Sequence, residues 1–222
     1  EDHQVLLPAM VCFDGFILTH TYEPVDMPTQ EQVDAYLPRF VPLARLDAQD
    51  PISFGMLATP DYYMEFRYAL DQALQRSREK IREAGKEFRD RFGRDYGALV
   101  EGYQLEDAET VLVALGSLCG TVKDAIDEMR AAGRKVGLLK IRVYRPFPVE
   151  EVAGALSGAS RVAVLDKNIS LGSKGAVAIE VRDALYGSGI PVLDYIVSLG
   201  GRDIRKRDIA RIVELAGKGE GD

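Results

Sequence analysis

Thr110-Val111-Leu112-Val113-Ala114-Leu115-Gly116-Ser117-Leu118-Cys119-Gly120-Thr121 is the stretch that decides the fold. A short apolar run closed by Gly116-Ser117, with helical spacing behind it to about Ala132, reads as a strand buried on both faces that feeds a helix. The same rhythm then repeats. Val136 to Tyr144 reads as a second strand, Val149 to Leu156 as a short helix and Val162 to Asp166 as a third strand. Ser170-Leu171-Gly172-Ser173-Lys174-Gly175 turns the chain into a helix from about Ala176 to Tyr186. Pro191 to Val197 is the fourth strand, and a helix from about Lys206 to Ala216 comes after it. Four strands joined through helices imply right-handed crossovers and a parallel sheet covered on both faces. The expected class is therefore α/β.

Upstream the pattern differs. Thr59-Pro60-Asp61 offers a helix start with proline at the first helical position, and the stretch from about Asp61 to Arg94 is expected to be one long helix. Phe66, Leu70, Ala73, Leu74, Ile81, Phe88 and Phe92 can form its buried stripe, with Gly85 as its weak point. Its charged residues, Glu65, Arg67, Arg76, Glu79, Lys80 and Glu83 among them, suit a solvated or intersubunit face. Between Asp14 and Pro60 the prolines at 24, 28, 38, 42, 51 and 60 recur too often for long elements, leaving a connector with at most short elements, among them a helix near Gln30 to Leu37. Val5-Leu6-Leu7-Pro8-Ala9-Met10-Val11-Cys12-Phe13 is apolar nearly throughout and reads as a covered strand. A lone strand cannot satisfy its ladder hydrogen bonds, so its sheet is expected from residues or chains beyond these, and the sequence is expected to be part of a larger protein.

Composition narrows the function classes. The 222 residues are 46% hydrophobic and 28% charged, with a formal net charge of −7. Basic residues are scattered among acids, with no stripe suited to a phosphate backbone, so no nucleic-acid partner is expected. No run approaches the roughly 20 apolar residues of a membrane-spanning helix, so no membrane association is expected and the cytoplasm is the expected compartment. Cys12 and Cys119 lie far apart and outside any C-x-x-C pattern, which argues against a disulfide framework or a metal site held by this chain alone. His3 and His20 are the only histidines. His20 comes after Asp14-Gly15-Phe16 in a zone where α/β folds place ligands, and a polar loop histidine bonded to backbone is the plainer reading. The turns carrying Gly116, Ser117, Gly120 and Thr121, and Gly172, Ser173 and Gly175, each open a helix. Free N–H groups there suit an anion, and glycines equally suit any tight strand-to-helix turn.

The motifs taken together resemble those of the α subunit of pyruvate:ferredoxin oxidoreductase. They are Val5 to Phe16 with Thr19-His20-Thr21; Tyr63-Met64-Glu65-Phe66-Arg67-Tyr68; Phe92-Gly93-Arg94-Asp95-Tyr96; Tyr144-Arg145-Pro146-Phe147-Pro148; Val164-Leu165-Asp166 with Gly172 and Gly175; and Leu199-Gly200-Gly201-Arg202-Asp203-Ile204. Each is weak alone, but their order along essentially the whole chain is specific. The resemblance implies that residues 1–22 end a thiamine-pyrimidine-binding domain, 23–104 form the connector and long helix, and 105–222 form a parallel-sheet domain like the C-terminal domain of transketolase.

It also implies an activity: thiamine-dependent oxidative decarboxylation of a 2-oxoacid, most simply pyruvate, to acyl-CoA and carbon dioxide, with electrons passed to ferredoxin. Thiamine diphosphate, magnesium, iron–sulfur clusters and coenzyme A would then belong to the assembly, with none held wholly by this chain, and the isolated chain would be inactive. Partners would be the thiamine-pyrophosphate and iron–sulfur subunits, and ferredoxin through them. The family's thiamine-activating glutamate and its substrate-holding threonine and arginine have no matching positions here, so no catalytic residue is assigned. Asp14, Thr19 and His20 are the substrate-proximal candidates, with Thr19 where the common relative carries serine. Tyr144, Arg145, Phe147 and Arg202 are candidate contact anchors between subunits or, equally, packing within the domain. Two other readings stand beside this one. The chain could be a stand-alone anion- or nucleotide-binding α/β module using the Gly116 or Gly172 turn, or a member of the same family acting on 2-oxoglutarate or a branched 2-oxoacid.

Overall fold

The computed structural model describes residues 5–37 and 39–221, so His3 lies outside the described residues. These residues form two compact units: residues up to Cys12 with Thr21–Tyr96, and Phe13–His20 with the chain from Gly97 onward.

The second unit is built on one five-stranded sheet: β1 (Val100–Tyr103), β2 (Thr110–Ala114), β3 (Val136–Ile141), β4 (Arg161–Asp166) and β5 (Val192–Ile196). Their order is β1-β3-β2-β4-β5. The last four strands in that order run parallel, and β1 pairs antiparallel with β3. Helices α4 (Leu118–Ala131) and α7 (Lys206–Gly217) cover one face; α5 (Val149–Leu156) and α6 (Ala176–Ala184) cover the other. Because side chains alternate along a strand, Leu112 and Ala114 point to the α4/α7 core while Val111 and Val113 point to the α5/α6 core. Both cores are apolar, which is why β2 reads as an unbroken apolar run rather than an alternating one.

Two expectations for this unit need correction. The sheet has five strands, not four: β1 falls inside the stretch read as connector. It joins the sheet through backbone pairing with β3, and Val100-Glu101-Gly102-Tyr103 offers too few apolar residues to announce a strand. The second strand stops at Ile141 instead of Tyr144, because Arg142 and Val143 turn their N–H groups to the carbonyl of Leu99. A short helix, α1 (Ile17–His20), lies within the stretch expected to hold at most short elements.

In the first unit, α2 (Gln30–Tyr36) starts on a capping box in which Gln32 N donates to Thr29 Oγ1 at 3.3 Å and Thr29 N donates to Gln32 Oε1 at 2.8 Å. The long helix α3 (Pro60–Phe92) ends at Gly93, whose φ of +66° provides the left-handed cap that a side chain would disfavour. Tyr36 packs edge-on against Phe88 and Phe92 at 5.8 and 5.6 Å, and its hydroxyl donates to Ala84 O at 3.1 Å. The expected buried stripe of α3 is only half realised: Ala73, Leu74, Ile81, Phe88 and Phe92 are half-buried, while Phe66 and Leu70 remain exposed. Of the described residues in the helix only Ser77 is buried.

The strand expected at Val5 to Phe13 does not form. The segment makes no ladder with any described strand, and Met10, Val11 and Phe13 stay exposed at 89%, 89% and 71%. An apolar run becomes a strand only when another edge accepts its N–H and C=O groups.

Candidate functional site

The strand order puts a crevice at the C-terminal ends of β2 and β4. The chain leaves β2 toward β3 on one side and leaves β4 toward β5 on the other, so the loops after these two strands diverge. Folds of this kind bind ligands at such a point. The loop after β2 bends at Gly116, φ +72°, and Ser117 stands at the N-cap of α4.

The crevice holds a carboxylate from the same unit. Asp14 Oδ2 accepts from Ser117 N at 3.2 Å and from the Ser117 hydroxyl, while Asp14 Oδ1 accepts from Lys167 Nζ at 2.6 Å. A Cβ on Gly116 would stand 3.3 Å from Asp14 Oδ2, so the glycine allows both the turn and the close approach. The expected anion-binding turn is thus occupied, and its anion is internal: a helix N-terminus, a hydroxyl and an ammonium surround one carboxylate. Of the other residues expected there, Gly120 and Thr121 lie inside the first turn of α4, away from Asp14, and Gly120 faces open space.

Lys167 and Ser117 hold the Asp14 carboxyl well down, at about 2 against an ordinary 3.8. A depressed acid adds stability that is present above its unfolded value and lost as pH falls through its folded value. Because Asp14 is about a third exposed, we take the contribution as about 1 kcal/mol after allowance for solvent screening. A carbon-detected NMR titration of Asp14 should therefore show a midpoint near 2; a midpoint near 3.8 would mean that Ser117 and Lys167 do not hold it.

Thr19 and His20 lie on α1, just beyond Asp14. Thr19 Oγ1 donates to Phe16 O at 3.2 Å, and His20 Nδ1 donates to the same carbonyl at 2.6 Å. The His20 ring also stacks obliquely on Phe16, whose φ is +58°.

The second glycine turn carries internal anions too. Asp166, fully buried at the end of β4, accepts from Val177 N at 2.9 Å and Ala178 N at 3.0 Å through Oδ2. Asp194 on β5 accepts from Gly175 N at 2.8 Å, and Asn168 Oδ1 accepts from Ala176 N at 3.2 Å. The four N–H groups that open α6 are therefore taken by side chains of the same unit. Gly172 and Ser173 belong to the preceding tight loop, where Ser173 N donates to Ser170 O at 2.8 Å. Burial pushes the Asp166 carboxyl up, and the nearby Asp194 charge pushes the same way. Sequence reasoning assigned no role to Asp166, Lys167 or Asp194. The available signal was a polar side chain inside or just past an apolar strand.

Among the described residues no three His, Cys, Asp or Glu side chains come together as a metal site. Cys119 is buried, which lifts its thiol to about 11. No described helix is long and apolar enough to cross a membrane. The candidate contact anchors divide. Phe147 is buried in its own unit and meets Tyr144 edge-on at 6.3 Å, and Arg145 lies over the Tyr144 ring and pairs with Glu180. These three are used in packing within the unit; Arg202 is exposed.

The fold and site define a mostly parallel α/β domain in which the loops after β2 and β4, and the second glycine turn, are met by the unit's own carboxylates. Residues 108–209 match the model described as pyruvate:ferredoxin oxidoreductase core domain II. Residues 2–86 match that of the thiamine diphosphate-binding domain of pyruvate flavodoxin/ferredoxin oxidoreductase. The chain belongs to the pyruvate:ferredoxin oxidoreductase family. It is 54% identical to pyruvate synthase subunit PorA of Methanothermobacter thermautotrophicus, over 96% of this chain and 55% of that protein. It is 48% identical to the PorA subunit of Methanosarcina barkeri, over 96% of this chain and 54% of that one. Ketoisovalerate oxidoreductase subunit VorA of Pyrococcus horikoshii is 47% identical, over 95% of this chain and 54% of that protein. The chain spans about half the length of these relatives.

Proposed function

We propose that this chain is the C-terminal portion of the α subunit of a pyruvate:ferredoxin oxidoreductase. In that assembly a 2-oxoacid is oxidatively decarboxylated with coenzyme A to an acyl-CoA and carbon dioxide, and the electrons pass through iron–sulfur clusters to ferredoxin. The observation that carries this reading is the 54% identity to a pyruvate synthase subunit along 96% of the chain. Thiamine diphosphate with magnesium, bound by other parts of the assembly, supplies the electron sink for decarboxylation. This chain's own share is structural. Residues 1–22 end the pyrimidine-binding domain, 23–104 form the connector and long helix, and 105–222 form the transketolase-like domain, with Asp14, Thr19 and His20 on the part nearest the substrate. Thiamine-pyrophosphate and iron–sulfur subunits are its partners, ferredoxin is reached through them, and the cytoplasm is its compartment.

The internal carboxylates weigh against a stand-alone anion-binding module, since both glycine turns are satisfied without an external ligand. The 54% identity to one pyruvate synthase subunit, against 47% to a ketoisovalerate oxidoreductase subunit, favours pyruvate over a branched 2-oxoacid. The test is subunit composition of the native material, then dye reduction dependent on coenzyme A with pyruvate, 3-methyl-2-oxobutanoate or 2-oxoglutarate. Co-purification with thiamine- and cluster-bearing chains, and fastest reduction with pyruvate, are expected. A partnerless chain whose melting temperature rises with inorganic phosphate would overturn the proposal in favour of the binding module.

A further inference from the structure

We propose that Ser117, Asp14 and Lys167 form a positioning clamp that fastens the segment Phe13–His20 across the C-terminal ends of β2 and β4, with Asp14 in the place where this fold class receives an external anion. The inference rests on the reading of Thr19 and His20 as substrate-proximal, and it assigns to Asp14, Ser117 and Lys167 a role in holding them there.

Three features carry it. The donors come from both sides of the crevice: Ser117 lies just after β2 and Lys167 just after β4, so the two oxygens of Asp14 tie the diverging loops to one point. The grip spans 103 and 153 residues of sequence, so it cannot be a local turn preference. Asp14 also stands three residues before α1, joined to it through Gly15 and Phe16. Thr19 and His20 both bond back to Phe16 O, which ties α1 to the end of the Asp14-Gly15-Phe16 turn. A shift of Asp14 out of the crevice would carry His20 with it. Helix α4 contributes its N-terminal dipole, and its buried residues Leu118, Cys119 and Val122 anchor that end of the helix in the core, which keeps the Ser117 donors fixed.

Asp14→Asn keeps an acceptor for Ser117 N and removes the ionic partner of Lys167; Lys167→Met removes the same pair from the other side. In the full assembly each variant should lower kcat/KM for the 2-oxoacid about tenfold or more while leaving the KM for coenzyme A unchanged. Amide hydrogen exchange across residues 13–20 should rise about tenfold. The double variant should be no worse than the worse single one, because both break one unit. Asp14→Glu, which restores the charge, should recover part of the rate. Unchanged exchange in both single variants overturns the clamp, and faster exchange with unchanged kinetics overturns its positioning role. A wild-type assembly inert toward every 2-oxoacid removes the enzymatic reading and with it the positioning role, while exchange still decides whether the clamp exists.

Discussion

Gly175→Ala should destabilise the second unit by about 3–5 kcal/mol, seen as a fall of about 10 °C in the thermal midpoint of the full chain. The backbone at Gly175 is ordinary, with φ −60° and ψ 141°, so conformational freedom is not the reason for glycine. Space is. A Cβ would stand 2.2 Å from Asp166 Oδ2, 2.5 Å from its Cγ and 2.6 Å from its Cβ. Asp166 can retreat only by giving up the N–H groups of Val177 and Ala178, which leaves donors and a carboxylate unpaired in a buried place. The substitution therefore combines overpacking with lost charge-assisted hydrogen bonds. Chemical denaturation of the variant beside the parent measures it, and a loss below about 1 kcal/mol would mean that α6 does not rest on Asp166.

Leu112→Ala should cost about 2–5 kcal/mol. Leu112 is fully buried on β2, which pairs with β3 and β4, with Leu138 and Ala163 as its register partners. A strand held on both edges cannot sink into the space that a lost isobutyl group leaves, so the cavity stays open. The contrast is Tyr62→Ala near the start of α3, where the side chain is 64% exposed and the change should fall within about 0.5 kcal/mol. Parallel urea titrations of the two variants check both figures. Equal losses would contradict the burial of β2.

The legibility of the sequence has the same physical basis. The four parallel strands were readable because strands covered on both faces must be apolar at nearly every position, and the turns after them carry glycine. β1 was not readable: its four residues become a strand through the edge that β3 offers, which is a property of the partner. Val5 to Phe13 shows the converse, with strand chemistry and no described edge to pair with. The upper part of α3 is similar. Tyr62, Tyr63, Met64, Phe66 and Tyr68 have the composition of a buried surface, and they are exposed in this chain.

At the candidate site the division is sharper. The sequence by itself determined the α/β class, the glycine turns, their suitability for an anion and the family to which the ordered motifs belong, because apolar spacing and turn chemistry are local properties. Only the tertiary structure decided which anion fills each turn. Asp14 reaches Ser117 and Lys167, and Asp166 and Asp194 meet the start of α6, through a strand order that brings distant residues to one end of the sheet. A carboxylate finds its donors by Coulomb attraction and burial in space, and neither leaves a mark in the residues next to it in the chain.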